Sequence, residues 1–421
     1  MQLVVTIFEK TPERAIDVIR ALHADHDAIE LRVDPFEGRV VDWAAVRAAT
    51  AKPIIVTNRG GAPVDVEAFL IDVEWGHSAP AGRPVILSHH DYDGMPDVET
   101  LACEMGGAEQ VKIAVTPKSF ADNVRLLMLL GTRRNLSVIG MGTRGLYARI
   151  LAPFFGSELQ FVSVDDAHQA APGQLTLSQA LAIYGPNREG LQAEKIFAIV
   201  GNPASHSGSP AIHNAIFRER GIAAAYAIFE TPDFLDIAEP FAQGLRFAPD
   251  GLSISAPFKE TALAFAESIG AAVAENAREA GAVNTLVRIG SRIVADNTDV
   301  DGFAVLIGKT NARTAAVIGA GGTARAALVA LRRAGIEVTI FNRTSGKLGA
   351  QPLEQLPSWR GDLVVNTLPQ NVSQNMSIAL PDAGTIIEAA YGRDSHATFT
   401  GLDLLRAQAA RQSELFLEAC K

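Results

Sequence analysis

Residues 314–344 read TAAVIGAGGTARAALVALRRAGIEVTIFNRT and predict a complete β-turn-α-β unit. An apolar strand leads into a glycine-rich turn, which is followed by an alanine-rich helix and a second strand. Gly319, Gly321 and Gly322 let the backbone N–H groups at a helix N-terminus face a pyrophosphate. A tight turn without a ligand is the alternative for the glycines alone, but the flanking strand and helix favour a dinucleotide-binding lobe.

The end of the second strand indicates which dinucleotide binds. A carboxylate there would accept a hydrogen bond from the free 2′-OH of NAD, whereas this chain carries Arg343. Because an arginine suits a 2′-phosphate, we predict NADP as the cofactor.

Composition limits the other classes of function. The chain has 421 residues, 48% of them hydrophobic, and a net charge of −10. Its length predicts two to three domains, and its composition excludes a disordered or fibrous protein. No global positive field supports binding to nucleic acid or anionic lipid, so we expect small-molecule substrates. Two cysteines, no basic leader and no apolar run of about 20 residues predict a cytoplasmic location.

The first half of the chain alternates β-rich runs with amphipathic stretches. Eight strands in strict β-then-α order predict a (β/α)8 barrel with a parallel sheet. Two of its units are abbreviated, because little separates TNR from LIDVEW or LIDVEW from PVILS. The overall fold class is therefore α/β, with the (β/α)8 barrel followed by a two-lobed α/β half that carries a Rossmann-type NADP-binding lobe.

The polar segment YGPNREGLQAEK, residues 184–195, marks the boundary between the halves. We predict a barrel over 1–190, a substrate-binding and catalytic lobe over 196–305, an NADP-binding lobe over 306–385, and a C-terminal helical segment over 386–421.

Charged and polar residues recur near the carboxyl ends of the predicted barrel strands, where active sites of barrels lie. They are Glu30, Arg32, Arg59, His90 and Lys112. Taken singly, each has a structural explanation, such as an ion pair between Glu30 and Arg32 or a rim lysine. Together they favour a site, because charged groups inside a barrel are costly unless they are paired or used.

This set of groups can form an imine. An interior lysine near arginines is disfavoured in its charged form, so the neutral amine of Lys112 could attack a ketone. The resulting iminium acidifies the adjacent C–H, and His90 could remove that proton and later protonate a departing hydroxyl. Arginines would hold a carboxylate in bidentate geometry.

Residues 1 to 180 resemble type I 3-dehydroquinate dehydratase in the motifs ELRVD, TNR followed by GG, ILSHHDY, VKIA, MGTRGLYAR and AAPGQ. The resemblance implies that Lys112 is the Schiff-base lysine and His90 the proton-transfer histidine. It implies substrate contacts for Glu30, Arg32, Arg59, Arg149 and Gln174.

The chain departs from this family after Arg59, where Gly60, Gly61 and Ala62 follow instead of a glutamate that usually orients the histidine. Two outcomes stay open. The barrel is catalytically weakened or structural, or else Glu74 or Asp91 orients His90.

The second half also combines several short motifs. Ser207 and Ser209 in GNPASHSGSPAIHN could bind one carboxylate or could cap the following helix. Lys259, Asn284 and Asp299 come from SISAPFKE, GAVNTL and DNTDVDGF, and each alone could be a turn or capping residue.

Together these motifs resemble shikimate dehydrogenase over residues 196 to 421. The resemblance implies that Lys259 and Asp299 form the catalytic pair, and that the segment from Asn342 through Arg343 to Thr344 contacts the adenosine ribose phosphate. It further implies substrate contacts for Ser207, Ser209, Ser255, Asn284, Asp299 and Gln408.

The joined order resembles the bifunctional type I 3-dehydroquinate dehydratase/shikimate dehydrogenases. It implies dehydration of 3-dehydroquinate to 3-dehydroshikimate, NADPH-dependent reduction to shikimate, and no metal. One alternative is a shikimate dehydrogenase with a weakened or structural barrel. Another is a metabolite-sensing regulator, although no helix-turn-helix pattern or basic patch supports it.

Overall fold

A computed structural model describes residues 1–23, 25–59, 61, 64, 66, 69–132, 134–344, 346–368, 380–381, 383–390 and 397–421. The chain forms two compact units. Unit 1 comprises Met1–Ala198, Pro203–Pro240 and Leu245–Ala248, and unit 2 comprises Ile199–Asn202, Phe241–Gly244 and Pro249–Lys421. These units do not coincide with the predicted domain ranges, which stay predictions.

An eight-stranded sheet in unit 1 confirms the predicted barrel. Its strands are β1 (Gln2–Ile7), β2 (Ala28–Arg32), β3 (Ile54–Thr57), β4 (Leu70–Glu74), β5 (Val85–Asp91), β6 (Gln110–Val115), β7 (Leu136–Gly140) and β8 (Leu159–Ser163). The strand order is β7-β6-β5-β4-β3-β2-β1-β8, with parallel pairing throughout. At the seam, the backbone N–H of Glu158 donates to the Leu136 carbonyl at 3.3 Å, which nearly closes the barrel.

Six α-helices accompany these strands in the described part of the barrel. They are α1 (Pro12–Ala21), α2 (Trp43–Ala49), α3 (Val98–Glu104), α4 (Phe120–Met128), α5 (Leu146–Leu151) and α6 (Leu177–Tyr184). Residues 75–84, between β4 and β5, contain no helix, and the described residues between β3 and β4 form none either. The abbreviated units expected from the sequence are therefore present.

Unit 1 continues with α7 (Ser209–Glu219) and β10 (Ala224–Glu230). All six residues of α5 are buried. The Tyr147 ring of this helix packs between Phe120 and Phe229, with centroid distances of 5.3 and 5.9 Å. A barrel helix usually exposes its outer face, whereas α5 is covered on both sides. This packing fixes the helix that carries Arg149.

Two elements contribute residues to both units, namely β9 (Lys195–Gly201) and α8 (Leu235–Gln243). The first part of unit 2 contains β11 (Gly251–Ile254), α9 (Lys259–Ser268), β12 (Ala272–Val273), α10 (Glu275–Ala280), β13 (Thr285–Ile289), β14 (Arg292–Asp296) and α11 (Asp299–Ile307). Strand β13 runs antiparallel to β11 and β14. The residues that begin α9 and α11 are Lys259 and Asp299.

The rest of unit 2 holds a parallel sheet in the order β17-β16-β15-β18-β19. Its elements are β15 (Thr314–Ile318), α12 (Gly322–Arg333), β16 (Glu337–Asn342), β17 (Gln351–Pro352), β18 (Leu363–Asn366), β19 (Thr385–Glu388) and, after the sheet, α13 (Gly401–Ala419). The predicted β-turn-α-β unit is β15–α12–β16. The strand order reverses beside β15, where ligands bind in sheets of this type.

Among the described residues, every helix is too short or too polar to cross a membrane.

Candidate active sites

One pocket of about 50 Å³ in the barrel is lined by all of the barrel residues that the sequence singled out. They are Glu30, Arg32, Arg59, His90, Lys112, Arg149 and Gln174. Lys112 and His90 lie on adjacent strands, with Lys112 opposite Ser88 and His90 opposite Ala114. The structure therefore places these side chains together, while their individual roles stay predictions.

The Lys112 side chain is 3% exposed and meets two carboxylates. Its Nζ contacts Asp72 directly and lies 3.7 Å from Oε1 of Glu30. The ammonium also lies 4.3 Å from the centre of the Phe161 ring. The sequence grouped Glu30, His90 and two arginines with this lysine. Asp72 was missed, although its position two residues before Glu74 puts both side chains on the same face of β4.

Asp72 is the centre of a buried network. Its Oδ1 accepts a hydrogen bond from Ser88 Oγ at 2.5 Å and lies 3.3 Å from Nη1 of Arg59. Burial raises the pKa of Asp72, but the charges of Lys112 and Arg59 outweigh that effect and hold the pKa well below its usual range. Asp72 is therefore ionised wherever the barrel is folded near neutral pH.

Glu74, the last residue of β4, binds His90 at two points. Its Oε1 accepts the backbone N–H of His90 at 2.8 Å, and its Oε2 lies 2.8 Å from Nδ1 of the ring. Burial is the main cause that lowers the pKa of His90 to about 4. The charges of Lys112 and Arg59 also lower this pKa, whereas the hydrogen bond with Glu74 raises it. The imidazole is therefore neutral at neutral pH and suited to accept a proton.

The three arginines of the pocket differ in their partners. Arg32 forms two hydrogen bonds of 2.8 Å with Asp34, and Arg59 contacts Glu74 and donates to Ser88 at 3.0 Å. Arg149 is buried, and its Nε donates to a backbone carbonyl at 2.9 Å. Burial lowers its pKa to about 10. Within the described residues no carboxylate pairs with Arg149, which makes it the cation that is free to hold an anion.

Gln174 lies on the other side of the same pocket. Its Nε2 donates to Thr6 Oγ1 at 3.2 Å, and its Oε1 accepts the backbone N–H of Ala170 at 2.9 Å. The side chain is thereby fixed between β1 and the loop after β8.

In unit 2, Lys259 and Asp299 form an ion pair. Lys259 Nζ lies 2.6 Å from Oδ2 of Asp299 and donates to Thr323 Oγ1 at 3.0 Å. The other oxygen of Asp299 accepts a hydrogen bond from Asn284 Nδ2 at 2.9 Å. Asp299 begins α11, where the helix dipole favours a negative charge. The sequence did not identify Thr323.

Gln408 joins this cluster through Thr298, whose Oγ1 lies 2.9 Å from Oε1 of Gln408. Gln408 on α13 is buried, and the backbone of α11 comes close to it at Gly302. Ser255 is half-buried after β11, and its N–H donates to the Val200 carbonyl at 2.8 Å.

Ser207 and Ser209 belong to unit 1. Their hydroxyl oxygens lie 3.1 Å apart, and Ser207 Oγ accepts the backbone N–H of Ser209 at 3.2 Å, at the first residue of α7. The N-cap position of α7 is Gly208, so neither serine is the N-cap that the sequence left open. The carboxylate contact stays a prediction.

A cavity of about 420 Å³ lies beside the glycine-rich turn of unit 2. The residues that line it include Lys259, Gly319, Gly321, Gly322, Thr323, Asn342, Arg343, Thr344, Lys347 and Thr367. Gly319 has a φ of +109°, and a Cβ there would lie 2.5 Å from Thr367 Oγ1. All six predicted cofactor residues line this cavity, and Lys347 adds a cation that the sequence analysis did not use.

Two family comparisons agree with this arrangement. The sequence model for type I 3-dehydroquinase matches residues 60–188, and the one for the shikimate dehydrogenase substrate binding domain matches residues 199–286. The chain joins a type I 3-dehydroquinase domain to a shikimate dehydrogenase substrate-binding domain. The 3-dehydroquinase match falls on the barrel and includes the segments with His90, Lys112, Arg149 and Gln174. The shikimate dehydrogenase match includes Lys259.

Several known proteins are similar to this chain. The chloroplastic bifunctional 3-dehydroquinate dehydratase/shikimate dehydrogenase of Arabidopsis thaliana is 32% identical over 291 residues, covering 63% of this chain and 47% of that protein. A pentafunctional AROM polypeptide of Lachancea thermotolerans is 30% identical over 375 residues, covering 76% of this chain and 23% of that protein. The chain thus spans less than half the length of each.

Among solved structures, a shikimate 5-dehydrogenase from Thermus thermophilus in complex with NADP(H) and shikimate is 30% identical, with a TM-score of 0.44. The match covers 53% of this chain and 93% of that one.

Proposed function

We propose that the chain carries two activities of one reaction sequence. The 3-dehydroquinase barrel dehydrates 3-dehydroquinate to 3-dehydroshikimate, and the shikimate dehydrogenase half reduces that ketone to shikimate with NADPH. The observation that carries the proposal is that each unit holds a largely buried lysine against a carboxylate at its own cavity, Lys112 with Asp72 and Lys259 with Asp299.

In the barrel, the Lys112 ammonium loses a proton to solvent, and the neutral amine then attacks the substrate ketone. Loss of water from the carbinolamine gives an iminium, which acidifies the adjacent C–H. His90 removes that proton and then protonates the departing hydroxyl, which leaves as water. Arg149 holds the substrate carboxylate, because it is the buried arginine that no protein carboxylate neutralises in the described part of the pocket. Hydrolysis of the iminium releases the product and restores the lysine.

In the second half, the cavity beside the glycine-rich turn fits a nucleotide carrying a 2′-phosphate. Arg343 and Lys347 supply two exposed cations there, and no acidic side chain follows β16 at the position that binds a free ribose hydroxyl. When bound, NADPH supplies the hydride. Lys259 donates a proton to the developing alkoxide, and Asp299 orients and stabilises the ammonium through its 2.6 Å contact. Ser207 and Ser209 are proposed to bind the substrate carboxylate.

The same observations bear on the alternative of a structural barrel. A structural barrel needs no ionised lysine in its interior, since buried charges are costly to retain. Here Lys112 and His90 both line one pocket, and each is contacted by a carboxylate, Asp72 at Lys112 and Glu74 at His90. That arrangement favours a catalytic barrel.

A two-substrate assay tests the proposal. Dehydration and reduction are each measured for the wild type and for three variants. These are Lys112→Ala, Lys259→Ala and, as a control at an exposed lysine, Lys118→Ala. We expect Lys112→Ala to abolish dehydration alone, Lys259→Ala to cripple reduction alone, and Lys118→Ala to leave both. Borohydride with 3-dehydroquinate should leave an adduct on Lys112, detected by mass spectrometry of peptides. An unmodified wild-type protein, or loss of both activities in either variant, overturns the proposal.

We also propose a cytoplasmic location, because a chain with only two cysteines, Cys103 and Cys420, lacks the cysteines of a disulfide framework.

A further inference from the structure

The ring of His90 needs a partner that sets its tautomer if it is to act as a base. A neutral imidazole carries one proton, so one nitrogen donates a hydrogen bond and the other accepts one. Only the nitrogen without the proton can remove a proton from a substrate. The group that faces Nδ1 therefore decides whether Nε2 is basic.

Glu74 faces Nδ1, and its carboxylate can only accept hydrogen bonds. Oε2 lies 2.8 Å from Nδ1, and Oε1 accepts the backbone N–H of the same residue at 2.8 Å. Because one contact is with the backbone of His90 and the other with its ring, they restrain both the position of His90 and the rotation of its imidazole. Nδ1 must carry the proton, and the lone pair of Nε2 is left free.

Glu74 is itself held in place from its other side. Arg59 Nη1 contacts Oε2 of Glu74 and donates to Ser88 Oγ at 3.0 Å, while Ser88 Oγ donates to Asp72 at 2.5 Å. Burial raises the pKa of Glu74, but the hydrogen bonds with His90 and the charge of Arg59 outweigh that effect and hold the pKa below its usual range. The carboxylate stays ionised, as the acceptor role requires.

The neighbouring carboxylate Asp91 has a different set of contacts. Its Oδ1 accepts the backbone N–H groups of Asp93 and Gly94, each at 2.9 Å. These bonds shape the turn after β5. Within the described residues, Asp91 forms no hydrogen bond with the His90 ring.

From this geometry we propose that Glu74 is the positioning residue of His90, fixing the Nδ1–H tautomer so that Nε2 serves as the base of the barrel reaction. The inference rests on the proposed dehydratase activity for its kinetic consequence. Its structural consequence, the tautomer, is independent of that activity.

Glu74→Gln tests the inference sharply. The Gln oxygen can still accept the backbone N–H of His90, but its NH₂ group then faces Nδ1 as a donor and favours the Nε2–H tautomer. We expect kcat for dehydration to fall about 100-fold, with KM changed less than about twofold. Glu74→Asp retains the acceptor and should recover part of the rate. Asp91→Asn is the matched control and should keep wild-type kcat.

Nitrogen-15 NMR of histidine-labelled protein provides the second readout, with the His90 signal assigned by its absence in His90→Gln. We expect Nδ1–H in the wild type and in Asp91→Asn, and Nε2–H in Glu74→Gln. A wild-type kcat in Glu74→Gln, or an Nε2–H tautomer in the wild type, overturns the inference. Borohydride trapping on the wild type separates the two proposals, because a missing Lys112 adduct overturns the dehydratase proposal while the NMR result still decides the tautomer.

Discussion

Lys259 Nζ donates a 3.0 Å hydrogen bond to Thr323 Oγ1, so the proposed proton donor is anchored on the first turn of α12, directly after the glycine-rich turn. The Lys259 side chain also packs closely against the backbone of Gly322, because a Cβ added at Gly322 would lie 3.0 Å from Cβ of Lys259. The ammonium is thereby held by Asp299 on one side and by Thr323 on the other. If NADPH binds beside the glycine-rich turn as proposed, a lysine fixed to the adjoining start of α12 would be held in a constant position beside the cofactor site, which favours catalysis by positioning.

Thr323→Val is expected to lower kcat for 3-dehydroshikimate reduction about 10-fold, because a hydrogen bond to a charged group contributes about 1.5–3 kcal/mol. Thr323→Ser keeps the hydroxyl and should retain most of the rate. Steady-state kinetics with NADPH measures both variants, with dehydration as an internal control for folding. Equal kcat values in Thr323→Val and wild type would show that Asp299 alone positions the lysine.

The choice of NADP depends on two exposed cations in our proposal. Replacing Arg343 by Ala removes a partner of the 2′-phosphate, and KM for NADPH should rise by about 10- to 100-fold. Lys347→Ala should give a smaller rise, because an ammonium cannot bind phosphate in bidentate geometry. KM for NADH should stay the same in both variants. A parallel rise for NADH would place these side chains elsewhere on the nucleotide.

Regular patterns in the sequence were sufficient to predict the architecture. Alternating strands and helices predicted the barrel, and the stretch from Thr314 to Thr344 predicted β15–α12–β16 with its turn. The sequence also placed Glu30, His90 and Lys112 near the carboxyl ends of the barrel strands, and the structure finds them in one pocket. These predictions work because period-two alternation and glycine turns are local properties of the chain.

The partners of these residues could not be derived in the same way. Asp72 contacts Lys112 although forty positions separate them, and Thr323 lies sixty-four positions from Lys259. Such contacts depend on strand register and on the packing of helix ends, which no local pattern reports. The sequence did leave Glu74 and Asp91 as alternatives for His90, and only the cross-strand geometry distinguishes them.

Gly302→Ala is predicted to destabilise unit 2. A Cβ at this position in α11 would lie 2.8 Å from Cβ of Gln408 and 3.1 Å from its backbone nitrogen, so α13 would have to move. Overpacking of this kind costs about 1–3 kcal/mol, which outweighs the gain in helix propensity. Thermal denaturation should show a lower Tm, whereas Val305→Ala, at an exposed position of the same helix, should change it little. An unchanged Tm would show that α11 and α13 can move apart without loss of stability.

The low pKa of His90 predicts how the barrel responds to acid. Its folded pKa of about 4 lies below the ordinary value of 6.5, so the folded state binds fewer protons than the unfolded state between these values. Stability contributed by the neutral ring is therefore complete above about pH 6.5 and is lost as the pH falls towards 4. The same titration limits the base, so dehydration should keep its rate well below pH 6.5 and fall only near pH 4.

His90→Gln provides the comparison, because glutamine does not titrate. Between pH 7 and pH 5, the wild type should lose about 2 kcal/mol more unfolding free energy than the variant, from about 1.36 kcal/mol per pKa unit over the interval from 6.5 to 5. Histidines elsewhere, including His26, whose pKa burial also lowers, are present in both proteins and cancel. Denaturant titrations at the two pH values measure the difference. If both proteins lose equal stability, His90 titrates near its ordinary pKa and is largely protonated at pH 5, and the rate of dehydration must then fall well before pH 4.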